Sequence, residues 1–134
     1  MQTHETVPMK RILIVDDEAE FRFSAGIALR RAGYSTEEVA DGGEALNLIQ
    51  SGRGRIPFDL FLVDIRMKGL SGIELINELK KRGLGTPVLV ISAFADATLL
   101  DEESFKKGFV TFLAKPFEFR ELIRQVDEIL ETRR

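Results

Sequence analysis

Apolar residues in this chain come in blocks rather than singly. Ile12-Leu13-Ile14-Val15 is a continuous apolar run that halts at Asp16-Asp17. Residues 58–63 form a second run halting at Asp64, and Val88-Leu89-Val90-Ile91 a third ending at Ser92-Ala93. A last run covers 109–113, just before Lys115-Pro116, while 34–40 is a weaker, more polar stretch suited to a sheet edge. Between these runs the spacing becomes helical. Over 18–32, Phe21, Ala25, Ala28 and Leu29 recur at helical spacing until Gly33 ends the pattern. Residues 43–51 predict a short helix through Ala45, Leu46 and Ile49. Residues 71–82 predict another through Ile73, Leu75, Ile76 and Leu79, with Ser71 and Gly83 as caps. An acidic helix is expected over 96–107. A closing helix over 118–131 carries Phe119, Leu122, Ile123, Val126, Ile129 and Leu130 on one face.

Strand and helix therefore alternate five times. Strands that are apolar throughout, rather than at every second position, belong to a sheet covered on both faces, hence a parallel, doubly wound α/β fold. Five strands are too few for an eight-stranded barrel. In such a sheet the natural place for a site is the crevice at the carboxyl ends of the strands. Residues 52–57 read as a lengthened loop and not as a linker between domains.

Composition narrows the chemistry. At 134 residues and 44% hydrophobic, the chain suits one domain with a substantial core. It has no cysteine, which excludes disulfides, thiolate metal sites and a cysteine nucleophile. The one histidine, His4, precedes the first apolar run, so no internal histidine is available for catalysis. A net charge of −3 argues against a general binder of the phosphate backbone. The polar start lacks a signal peptide's apolar stretch, and no run approaches a membrane span. A cytoplasmic protein is the expectation.

The residues at the strand ends form a set. Asp16 and Asp17 follow the first strand, Asp64 the third, Ser92 the fourth, and Lys115-Pro116 the fifth. Taken singly, each has an ordinary explanation: an aspartate caps a helix, a serine ends a strand, a Lys-Pro makes a turn. Asp41 and Asp59 are read in that way. Taken together, if the strands are adjacent, they bring three carboxylates into one crevice, where mutual repulsion calls for a counterion. Oxygen ligands without nitrogen or sulfur select Mg²⁺, with Mn²⁺ possible, over zinc. The Lys115 ammonium and Ser92 hydroxyl are groups that suit a phosphoryl group.

The segments LIVDDE, FLVDIRMKGLSG, VLVISA and FLAKPF resemble the response regulator receiver domain of two-component signalling, over about residues 10–132. The resemblance implies a (βα)5 flavodoxin-like sheet of order 2-1-3-4-5, with 1–9 as a tail and no output domain in this chain. It implies that Asp64 is the phosphoacceptor and that Asp16, Asp17, Asp64 and the backbone carbonyl of Arg66 surround the metal. It further implies that Ser92 and Lys115 contact the phosphoryl group, that Phe112 is an aromatic switch, and that the bond to Pro116 is cis. The phosphoryl donor would be a sensor histidine kinase or histidine phosphotransfer protein. The readout would be an unidentified downstream protein meeting the face of the fourth helix, fifth strand and fifth helix. Neither direct nucleic-acid binding nor membrane association is expected. The chain would be a monomer or a phosphorylation-dependent homodimer, and a switch rather than an enzyme.

Two departures from the family pattern stand out. Lys68 occupies a place where such domains commonly have proline. Arg66 and Phe94 occupy the two positions flanking the hydrolytic water's path, and bulky Phe94 is expected to slow loss of the phosphoryl group. The charges of 96–107 read as a solvated face, Phe105 as core, and Phe109 as the more exposed aromatic. Two other functions remain open. A Mg²⁺-dependent phosphohydrolase would need an acid two residues beyond its nucleophile, where Arg66 follows Asp64 and Glu18 follows Asp16. The other is a receiver-like interaction module that accepts no phosphate.

Overall fold

A computed structural model describes residues 9–51, 58–67, 71–83 and 85–131. The strands are β1 (Arg11–Val15), β2 (Ser35–Val39), β3 (Leu60–Asp64), β4 (Val88–Ala93) and β5 (Val110–Lys115). The helices are α1 (Ala19–Arg31), α2 (Gly42–Ser51), α3 (Gly72–Lys81), α4 (Glu102–Lys106) and α5 (Phe119–Glu131), with a 3₁₀-helix over Phe94–Leu99. All pairings are parallel and the order is β2-β1-β3-β4-β5, as expected. The expected tail, the 52–57 loop and Lys68 lie outside the described residues.

Side-chain alternation along each strand splits the core in two. Leu13, Val15, Phe61, Val63, Val88 and Val90 face α2 and α3, packing on Ala45, Ile49, Leu75 and Leu79. Ile12, Ile14, Leu60, Leu62, Leu89 and Ile91 face α1 and α5, packing on Ala25, Leu29, Leu122 and Val126. Both faces are buried, which is why these strands are apolar throughout. The polar strand β2 lies at the edge, where Glu37 and Glu38 are exposed. The Tyr34 hydroxyl, just before it, donates to Asp127 of α5. Of the two aspartates read as turn or capping residues, Asp41 caps the start of α2, whereas Asp59 instead ties the start of β3 to β1. Asp41 Oδ1 accepts the Glu44 N–H at 2.9 Å, and Asp59 Oδ2 accepts that of Arg11 at 2.8 Å.

The structure corrects five readings on the carboxyl half. The acidic helix expected over 96–107 is broken in two. Asp101 turns back to accept the Ser104 N–H at 2.8 Å and starts α4 afresh, the short-range capping that makes aspartate a helix starter. The restart resets the helical phase, so Ser104 is buried and Phe105 is 37% exposed, whereas Phe109 packs against the core. Phe119 likewise leaves the apolar face of α5. It is 37% exposed and its ring lies 6.1 Å from Phe21 and 6.3 Å from Phe117. Finally, β5 runs on past residue 113, because β4 continues to pair with it as far as Ala93↔Lys115.

Helix α3 begins hard against the end of β3. Ser71 and Glu74 form a reciprocal capping box, and the Gly72 N–H donates to the Ile65 carbonyl at 3.1 Å. A Cβ on Gly72 would run into the Asp64 carbonyl and lie 2.7 Å from Ile65 Cα, backbone that cannot swing aside. In an open helix, Ala gains roughly 0.5–1 kcal/mol over Gly; here the overlap outweighs that gain. Gly72→Ala is expected to destabilise the fold by roughly 1–3 kcal/mol. Gly85→Ala, where a Cβ meets nothing within 4 Å, should stay within about 0.5 kcal/mol. Denaturant midpoints of the two variants test this.

Candidate functional site

Parallel strands that begin together end together. With Val15 opposite Val63, Asp64 opposite Ile91 and Ala93 opposite Lys115, the next residues of β1, β3, β4 and β5 share one edge. That edge brings together Asp16, Asp17, Asp64, Ser92 and Lys115, all anticipated from the sequence. Carboxylate oxygens of Asp16, Asp17 and Asp64 lie within 4.8 Å of one another.

Asp16 is fully buried. Its Oδ1 accepts the Glu18 N–H at 2.8 Å, and its carbonyl accepts Arg22 Nη1 at 2.6 Å. Its Oδ2 has no hydrogen-bond partner among the described residues, the nearest cation being Lys115 Nζ at 3.8 Å. Burial, reinforced by the Asp64 charge, pushes this carboxyl up to about 6, against the opposing pull of the Glu18 amide and Lys115. Asp17, by contrast, is exposed.

Asp64 is 5% exposed and held at both oxygens: Oδ1 accepts the Arg66 N–H at 3.0 Å, and Oδ2 accepts Lys115 Nζ at 3.2 Å. Lys115 also lies 3.7 Å from Glu18 and 5.1 Å above the Phe21 ring. Burial works to lower its pKa, but Asp64, Asp16 and Glu18 outweigh it and the net shift is upward. The Lys115–Pro116 bond is cis.

Charge balance favours a further cation. Two unit charges ~4 Å apart interact by roughly 4 kcal/mol at an effective dielectric near 20, so one ammonium cannot offset three carboxylates at that range. An orphaned, buried carboxylate oxygen beside two other carboxylates is a fitting donor set for a small hard divalent ion. Asp16, Asp17 and Asp64 would hold it.

The other anticipated residues divide. Phe112 is half-buried against the α2/α3 side of the core. Phe94 is 79% exposed. The Arg66 side chain turns from the acids towards Asp96, with Nε at 2.9 Å and Nη2 at 2.7 Å from Oδ1. Ser92 also reaches that residue, its hydroxyl donating to Asp96 Oδ2 at 2.6 Å. Sequence reasoning missed Asp96, which it placed on a solvated helix face. Asp96 is 3% exposed, and hydrogen bonds from Arg66 and then Ser92 hold its carboxyl below the usual range. The only hint in the sequence was its place four residues beyond Ser92, one helical turn on.

Comparison with known proteins agrees with this geometry. The family model of the response regulator receiver domain matches residues 12–127. Sporulation initiation phosphotransferase F of Bacillus subtilis is 31% identical over 121 residues, 90% of this chain and 94% of that protein. The transcriptional activator protein PfeR of Pseudomonas aeruginosa is 34% identical over 96% of this chain, which spans only 40% of it. Among solved structures, the receiver domain of the Francisella response regulator 1452 superposes with a TM-score of 0.78 at 31% identity. That match covers 93% of this chain and 99% of the other.

The Asp16 carboxyl yields a prediction whose sign is set by its shift. Its folded pKa of about 6 lies above its ordinary 3.8, so metal-free protein loses stability as pH climbs from about 4 through 6. At pH 7.5 in chelator, Asp16→Asn should therefore be more stable than the parent by roughly 1–2 kcal/mol. At pH 5, where Asp16 is mostly protonated, the difference should fade; thermal melts at the two pH values measure it.

Proposed function

The chain belongs to the response regulator receiver domain family, and from that premise we propose that it is a phosphorylation-driven switch with Asp64 as phosphoacceptor. Members of this family are generally signalling switches rather than classical enzymes, and they work with histidine kinases or phosphotransfer proteins and downstream effectors. The observation that carries the reading is the hold on Asp64. The carboxylate is pinned through Oδ1 to the Arg66 amide and through Oδ2 to Lys115, at the mouth of an acid cluster with an unsatisfied oxygen.

From this arrangement the chemistry follows. An Asp64 oxygen attacks the phosphorus of a phosphohistidine. The new O–P bond forms as the P–N bond breaks, its electron pair remaining on the imidazole of the donor protein. Asp16, Asp17, Asp64 and the Arg66 carbonyl would hold a Mg²⁺ ion, which would supply positive charge for the phosphoryl oxygens. Lys115 is already within hydrogen-bonding reach of the acceptor and follows the charge onto the acyl phosphate. Ser92, at the next strand end, supplies a hydroxyl to one phosphoryl oxygen. Phe112 is half-buried in β5 and turns inward as the neighbouring loops rearrange, changing the α4–β5–α5 face that a partner meets.

Incubation with acetyl phosphate and Mg²⁺ should add the mass of one phosphate to the intact protein. Chelator, or Asp64→Asn, should abolish the gain. Continuous release of inorganic phosphate instead would favour a phosphohydrolase, and no gain at all a docking module. Phe94 is 79% exposed and so is spent on no core packing, which leaves it available to screen the approach of water to Asp64. The phosphoryl group should accordingly persist well beyond seconds. Phe94→Ala should shorten its lifetime by about fivefold, equivalent to ~1 kcal/mol of barrier. Timed decay of the phosphorylated mass measures both.

A further inference from the structure

One carboxylate beside the site has no part in the phosphoryl transfer just described. Asp96 lies in the first turn of the 3₁₀-helix, is 3% exposed, and has both oxygens engaged. Oδ2 takes the Ser92 hydroxyl at 2.6 Å. Oδ1 takes the Arg66 guanidinium at 2.7 and 2.9 Å, and the same arginine gives its backbone N–H to Asp64 Oδ1 at 3.0 Å. Asp96 thus stands one residue away from the acceptor carboxylate on one side and grips the strand-end hydroxyl on the other. A serine hydroxyl carries a single proton. While that proton is given to Asp96 it is not available to an oxygen on Asp64. A 2.6 Å bond to an ionised acceptor is of the short, strong kind.

We propose that Asp96 is a positioning residue that holds the Ser92 hydroxyl in its resting orientation, so that a phosphoryl group on Asp64 must win the Ser92 proton from it. The inference rests on Asp64 being the phosphoacceptor. One charge-assisted hydrogen bond is exchanged for another, which keeps the two arrangements close in free energy and lets Asp96 set the balance. When Ser92 leaves, Arg66 remains to neutralise the buried carboxylate. Asp96 is then held by Arg66 and the Ala93 main chain without the Ser92 hydroxyl, which loosens the tie between Phe94–Leu99 and the end of β4.

The test uses beryllofluoride, a phosphoryl mimic, titrated at saturating Mg²⁺ into wild-type protein, Asp96→Ala, Asp96→Asn, Ser92→Ala and the double variants, with the Ser92 amide followed by NMR. Both Asp96 variants should bind roughly tenfold more tightly than wild type. That gain should disappear in the Ser92→Ala background, and the Ser92 amide of the unliganded variants should move towards its bound position. Asp96→Asn, nearly isosteric, carries the comparison if Asp96→Ala does not fold. No gain in affinity overturns the inference. So does a gain that persists without the Ser92 hydroxyl, since that would belong to the freed Arg66 charge. Failure of wild type to bind beryllofluoride would overturn the phosphoacceptor reading, whereas wild-type binding without a Ser92-dependent gain overturns this inference alone.

Discussion

Asp16 is fully buried with one oxygen unsatisfied, and two more carboxylates stand within 4.8 Å of it. Such a group is costly to assemble, because each like charge makes the others harder to ionise. The cost is tolerable because Lys115 is placed against Asp64 and near Asp16, because the Glu18 amide serves the other Asp16 oxygen, and because Asp16 can take up a proton. The remainder of the imbalance would favour a positive charge bound at this one edge. Phosphoryl transfer to Asp64 would draw on the same property.

The fold supplies that edge by simple means. Parallel strands with two buried faces end in register, so the residues after the apolar runs meet. Close approach does the fine placement. Gly72 lets α3 begin against the backbone of Asp64 and Ile65, and its N–H donates to the Ile65 carbonyl just beyond Asp64. Bulk at that point would bear on the main chain of Asp64.

A second, smaller charge balance lies just outside the first. Arg66, Asp96 and Ser92 form a chain from the residue after β3 to the start of the 3₁₀-helix. It explains why the region after β4 is not the single acidic helix its composition suggests. Asp96 is drawn inward by a cation and a hydroxyl, and Asp101 caps a new helix five residues later. The segment thereby has two short pieces joined at Leu100 in place of one rigid rod, a form well suited to rearrangement.

The strand order that makes the site residues converge came from the family resemblance, while the alternation of apolar runs and helical spacing was enough to determine a five-stranded parallel fold and to set Asp16, Asp17, Asp64, Ser92 and Lys115 at strand ends. These follow from periodicity and from where each run stops, both local properties of the chain. The phase of helices after β4 was not legible, because capping by Asp101 competes with propensity over a single turn and tertiary contacts decide between them. Nor was the burial of Asp96, the exposure of Phe105, or the departure of Phe119 to join Phe21 and Phe117. Each depends on a partner distant in sequence: Arg66 lies 30 residues from Asp96. By itself the sequence determined which groups meet at the strand ends. Only the tertiary structure decided how their protons and charges are shared, because that turns on distances of a few ångströms between side chains that no local pattern encodes.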